Sequence, residues 1–102
     1  MDLKNAAMLL AALAQESRLK IYKTVADAGS KGLPAGVISL CTDTKPSVTS
    51  FHLKELSRAQ LVRRKQAGRN VIYAAQHQPL GEVLSLLARC SPPDFEHSRP
   101  AS

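Results

Sequence analysis

Tryptophan is absent from this chain, and phenylalanine and tyrosine contribute only two residues each. Readers of single-stranded nucleic acid stack bases on aromatic faces, so this shortage disfavours RNA as a partner. It also leaves a 102-residue chain with a small core, which favours association with further copies. Cysteine occurs twice, too seldom for a disulfide framework, and the expected compartment is the reducing cytoplasm. No apolar run approaches the roughly 18 residues of a membrane span, and a membrane partner is not expected. There is no Gly-rich phosphate loop, no metal-ligand cluster and no nucleophile spaced from a His and an acid. An enzyme is therefore not expected.

The opening residues imitate a short export signal. Met1-Asp2-Leu3-Lys4 leads into an apolar run over residues 6–14, with Ala12-Leu13-Ala14 ahead of Gln15. Its one lysine is balanced by Asp2, and cleavage at Gln15 would make it shorter than usual signals. A helix is the better reading. The run AAMLLAALA has no polar face, so such a helix must be covered by its own domain and by another subunit.

What the chain does have is a localised charge. Of 14 basic and 8 acidic residues, the segment 44–75 holds Lys45, Lys54, Arg58, Arg63, Arg64, Lys65 and Arg69 against Glu55 alone. The other 70 residues balance at seven of each sign. The whole excess of +6 sits in one third of the chain. That is the footprint of a polyanion partner, most often nucleic acid; a solvated basic face kept for solubility is the alternative.

After the first helix, Gln15-Glu16-Ser17 starts a second, with Leu19, Ile21, Tyr22, Val25 and Ala26 at helical spacing and Gly29 as its stop. Gly29-Ser30-Lys31-Gly32 is a loop, and Pro34 suits the first turn of a short third helix reaching Leu40 or Cys41. Thr44 is positioned to cap a fourth helix from Pro46 to about Arg58, whose Thr49, His52, Leu53 and Leu56 share one face. Thr49 stands where a larger apolar residue is expected. Strands at 61–66 and 70–75 flank Ala67-Gly68-Arg69, a hairpin with the glycine its turn needs. Pro79 opens a last helix, with Leu80, Val83, Leu84 and Leu87 at helical spacing. Residues 1–90 thus form one domain, and 91–102 read as a flexible Pro/Ser-rich tail. The expected class is mainly α with a small β-hairpin, in the order ααααββα: a helix-turn-helix followed by a basic wing.

Three stretches carry a family resemblance. Leu13-Ala14-Gln15-Glu16-Ser17-Arg18-Leu19-Lys20-Ile21 resembles the "LADPTRLRIL" start of the second helix in the arsenic-responsive (ArsR/SmtB) repressors. Pro46-Ser47-Val48-Thr49-Ser50-Phe51-His52-Leu53-Lys54-Glu55-Leu56 resembles their recognition helix, and residues 59–73, ending Gly68-Arg69-Asn70-Val71-Ile72-Tyr73, resemble their wing. The resemblance spans about residues 6–90. It implies a winged helix-turn-helix homodimer joined through its first and last helices, here by Leu3, Ala7, Leu10, Leu80, Val83, Leu84 and Leu87. It also implies a repressor of double-stranded DNA operators released by a small inducer. The chain departs from the family at its metal sites. Pro34 and Gly36 stand where metal-binding members carry Cys-x-Cys, residues 80–90 hold no Asp or His, and His77 precedes the last helix. No metal is expected at those sites.

A recognition helix sets its N-terminal part against base edges, which makes Ser47, Val48, Ser50 and Phe51 the base-facing candidates. Lys45 and Lys54 suit phosphates, and His52 suits either a phosphate or a partly buried structural role. Arg63 and Lys65 should leave one face of the wing and Arg64 the other, with Arg69 at its tip for the minor groove or a flanking phosphate. Tyr22 and Tyr73 read as packing residues. Cys41 and Cys90 are the only soft ligands, suited to a trivalent arsenic species as inducer. Two thiols fit a monomethylated arsenical better than arsenite, which prefers three. Persulfide or redox sensing, ordinary structural cysteines with no ligand, and a winged-helix protein-interaction module remain the alternatives.

Overall fold

The computed structural model describes residues 1–90. Helix α1 spans Leu3–Leu13 and α2 spans Glu16–Asp27. A 3₁₀ turn at Gly29–Lys31 leads to strand β1, Leu33–Pro34, then to α3, Ala35–Thr42, and α4, Pro46–Arg58. Strands β2, Val62–Ala67, and β3, Asn70–Ala75, precede α5, His77–Ala88. The three strands form one antiparallel sheet in the order β1-β3-β2, with Leu33 opposite Tyr73 and Arg64 opposite Tyr73 from the other side. The winged helix-turn-helix arrangement is as expected, with β1 as an addition. Expected in the first turn of α3, Pro34 instead lies in this edge strand, where a missing N–H is tolerated. The expected tail at 91–102 lies outside the described residues.

The export-like segment is part of the domain. Asp2 caps α1 by accepting from the Asn5 N–H at 2.8 Å, so the helix starts three residues earlier than the apolar run suggested. Ala6, Leu9 and Ala12 enter a core formed with Ile21, Tyr22, Val25, Ile38, Leu53, Leu56, Leu61, Val62 and Val83. Ala7, Met8, Leu10 and Ala11 stay exposed. Small alanines at 6 and 12 bring α1 close to its neighbours, and one row of the helix is enough for that contact.

Two helices end in left-handed caps made without glycine. Asp43 (φ 50°) follows α3, with the Thr44 N–H donating back to the Ser39 carbonyl at 3.0 Å. Gln60 (φ 61°) follows α4, with the Leu61 N–H donating to the Leu56 carbonyl at 2.9 Å. Both are six-to-one closures that satisfy orphan helix carbonyls. The first sets the tight turn between α3 and α4; the second aims the chain into the wing with Leu56 and Leu61 both buried. Thr44 does not cap α4 as expected. Drawn back by this closure, its hydroxyl donates to the Thr42 carbonyl at 3.1 Å, and Lys45 takes the cap position without a side-chain bond.

Gly32 is required by close approach. Its φ of +70° is one that side chains rarely adopt, and an added Cβ would lie 2.5 Å from the Tyr73 carbonyl oxygen. This contact seats the loop before α3 on the middle strand of the sheet.

Candidate nucleic-acid interface

Helix α4 divides cleanly. Thr49, His52, Leu53 and Leu56 point inward and are buried. Ser47, Phe51, Lys54 and Arg58, three or four residues apart, form the opposite, solvent-facing stripe, and all four are exposed. Val48 and Ser50 flank it, also exposed, and Lys45 lies exposed at its N-terminal end. Of the base-facing candidates, none is sequestered in the core.

At the wing, Ala67 pairs with Asn70, leaving Gly68 and Arg69 as a two-residue turn. Gly68 has φ +64° and Arg69 does not, the pattern of a type II′ hairpin turn, and the Gln66 amide donates to the Gly68 carbonyl at 2.9 Å. Arg69 is therefore exposed at the tip, and Arg64 is exposed along the strand. The other two wing cations have local company. Lys65 is half-buried and donates to the Ser30 carbonyl at 3.4 Å. Arg63 lines a cleft of about 640 Å³ with Arg58, Asn5, Met8, His77 and Glu82, towards α1 and α5.

Of the two roles open to His52, a phosphate contact or a partly buried structural place, the geometry matches the second. His52 is 4% exposed, and its Nδ1 accepts from the Arg18 Nε–H at 3.3 Å. Burial, and then the neighbouring Arg18 charge, hold its pKa below the usual histidine value, so the imidazole is neutral at pH 7.

Arg18 lies outside the charged window at 44–75 yet contacts helix α4. Its Nη1 donates to the Ala12 carbonyl at 3.4 Å, and its guanidinium carbon sits 5.7 Å from the Phe51 ring centroid. The Phe51 and His52 rings are 5.8 Å apart and tilted. Its only sequence signal is its place in the family-like stretch 13–21; its partner His52 lies 34 residues away.

The residues expected at a dimer contact separate into two groups. Leu3, Leu10, Leu84 and Leu87 are exposed, from 39% to 76%, and Ala7 is exposed beside them. Val83 is completely buried within the protomer, and Leu80 packs half-buried against the same core, so neither is a free contact. The cause is phase: α5 turns Val83 inward and presents Leu84 and Leu87 outward. The helix also starts at His77, which belongs to its first turn instead of preceding it.

Cys41, in the last turn of α3, and Cys90, just beyond α5, are both free thiols and both exposed. The Cys90 thiol donates to the Leu86 carbonyl at 3.4 Å. Among the described residues, no three or more His, Cys, Asp or Glu side chains gather as a metal site, and no helix is long and apolar enough to cross a membrane.

No protein-family model matches the chain, and no curated protein matches it by sequence. Solved structures do. The reduced form of HlyU from Vibrio cholerae is 30% identical with a TM-score of 0.67, over 86% of this chain and 92% of that one. An ArsR-like transcriptional regulator from Rhodococcus sp. RHA1 is 24% identical with a TM-score of 0.78, over 84% of this chain and 78% of that one. The homodimeric winged helix-turn-helix DNA-binding domain of Mb0332 from Mycobacterium bovis, a possible ArsR-family transcriptional regulator, is 21% identical with a TM-score of 0.70, over 98% and 90%. At their lower identity, the last two speak for the fold alone.

Proposed function

The chain belongs to the ArsR/SmtB family of winged-helix transcriptional regulators, and from that premise we propose that it is a cytoplasmic homodimeric repressor that binds double-stranded DNA. The observation that carries this reading is the placement of the net charge. The segment holding all of the +6 is the recognition helix and the wing, and Lys45, Lys54 and Arg58 on the helix and Arg63, Arg64 and Arg69 on the wing are all exposed. Phosphate contacts from the cations fix register, while the α4 stripe meets base edges in the major groove. A protein-interaction module has no need of this charge. The exposed leucines of α1 and α5 supply an apolar surface for a second copy, and a two-fold dimer would present two such helices to successive major grooves.

Release is proposed to run through the thiols. A monomethylated trivalent arsenical with two hydroxyl ligands condenses with two thiols: two As–O and two S–H bonds break, two As–S bonds form, and each hydroxyl leaves with a thiol proton as water. Cys41 belongs to the helix-turn-helix and Cys90 adjoins α5, so such a bridge, within or between protomers, would tie the reading head to the dimer helices. A second reading, thiol oxidation or persulfide formation, has its own support: the Vibrio cholerae relative is described in its reduced form, and both thiols here are exposed.

The test is fluorescence anisotropy of the reduced protein on DNA from upstream of its own coding sequence, repeated with a trivalent methylarsenical and with a persulfide donor. Salt-sensitive binding abolished by the arsenical supports arsenical release, and loss with the persulfide donor alone supports the second reading. No preference over random DNA would refute self-regulation and favour the interaction module.

A further inference from the structure

Phe51 is one of two phenylalanines in the chain, and it is spent on the outside. It is 55% exposed midway along the outer stripe of α4, with Ser47 one turn before it and Lys54 one turn after. It contributes nothing to the buried core. A phenyl group there cannot hydrogen-bond a phosphate or a base edge. The apolar feature that a major groove offers is the thymine 5-methyl group.

The ring is also held. Arg18 reaches across from α2 with its guanidinium 5.7 Å from the ring centroid, and that guanidinium is itself fixed from two sides, by His52 Nδ1 at 3.3 Å and the Ala12 carbonyl at 3.4 Å. A planar cation anchored at its Nε and one Nη presents a steady face to the ring, which a lysine ammonium cannot do. An unanchored phenyl group would lose rotamer freedom on meeting DNA; one already braced loses less.

Resting on the DNA-binding reading above, we infer that Arg18 is a positioning residue that braces Phe51 to read a thymine 5-methyl group in each half-site. Arg18 thereby joins α1, through Ala12, to the reading surface of α4, so a shift of the dimer helix would reach the base contact directly.

The experiment uses duplexes selected by the wild-type protein from a random 25-base-pair pool. Each thymine in a selected site is then replaced by deoxyuridine, which removes only the methyl. The expected result is one position per half-site where deoxyuridine lowers affinity about fourfold, the worth of one buried methyl. In Phe51→Ala, Arg18→Gln and Arg18→Lys the thymine-to-deoxyuridine ratio falls towards one, while the slope of log affinity against log salt in Arg18→Lys stays at the wild-type value. Circular dichroism identifies any variant that fails to fold, and Arg18→Lys keeps the charge with least disturbance. A ratio that survives in Arg18→Lys, or deoxyuridine without effect anywhere in a selected site, overturns the inference and leaves DNA binding standing. Failure to enrich any duplex overturns the DNA-binding reading beneath it.

Discussion

Thr49 is wholly buried on the inner face of α4, and its hydroxyl oxygen has no hydrogen-bond partner. A hydroxyl stranded this way costs about 1–3 kcal/mol, the water it gave up having gone unreplaced. Thr49→Val exchanges that hydroxyl for a methyl of nearly the same size. Both residues are β-branched with similar helix propensity, so the backbone preference of α4 is almost unchanged. The expected gain is about 1–2 kcal/mol. In a domain of this size that raises the melting temperature by roughly 4–8 °C for each kcal/mol. Urea unfolding at one fixed protein concentration is the assay, because a dimer's midpoint depends on concentration. The midpoint should rise with the slope unchanged. DNA affinity should hold, since residue 49 points away from the outer stripe. A lower midpoint in Thr49→Val would refute the reasoning, because it would mean that the hydroxyl is bonded, for instance to the Lys45 carbonyl one turn earlier.

Gly32→Ala should destabilise the domain by about 3 kcal/mol, at the upper end for a strained glycine-only conformation, because a backbone oxygen at 2.5 Å adds a clash; a midpoint within error of wild type in urea would contradict it. His52 is held below its ordinary pKa of 6.5, so the unfolded chain takes up its proton first. Its contribution to stability is full above pH 6.5 and is lost as pH falls from there to the folded pKa, and a chemical-denaturation series from pH 7.5 to 5 in wild type and His52→Gln should show that loss only in wild type. Leu84→Glu places a charge on the exposed row of α5 while Val83 still fills the core, so it should yield a folded monomer by sedimentation velocity; an unchanged dimer would remove this row from the contact.

Helix α4 was legible because Pro46 marks its start and Thr49, His52, Leu53 and Leu56 recur at helical spacing on one face, opposite Ser47, Lys54 and Arg58. The wing was legible from Gly68 and the apolar run of β3. Helix α1 was legible as a helix but its buried face was not, because a run of nine apolar residues has no phase: packing alone selects Ala6, Leu9 and Ala12. The same ambiguity placed Val83 with Leu84 and Leu87, although α5 turns it the other way. Strand β1 has two residues, too few for alternation to register. At the reading surface, the charge window found the exposed cations but missed Arg18, whose His52 partner is 34 residues distant and leaves no local pattern.

The most direct test of the DNA-binding account is the salt dependence of duplex binding in wild type and Arg69→Ala, measured by anisotropy on the same DNA. Each phosphate neutralised contributes about 0.9 to the slope of log affinity against log salt. With one wing tip per protomer on a two-fold dimer, Arg69→Ala should flatten the wild-type slope by about 1.8 and weaken binding to all sequences alike. An unchanged slope would take the wing tip off the DNA. A wild-type protein that fails to bind duplex DNA at low salt would contradict the central claim.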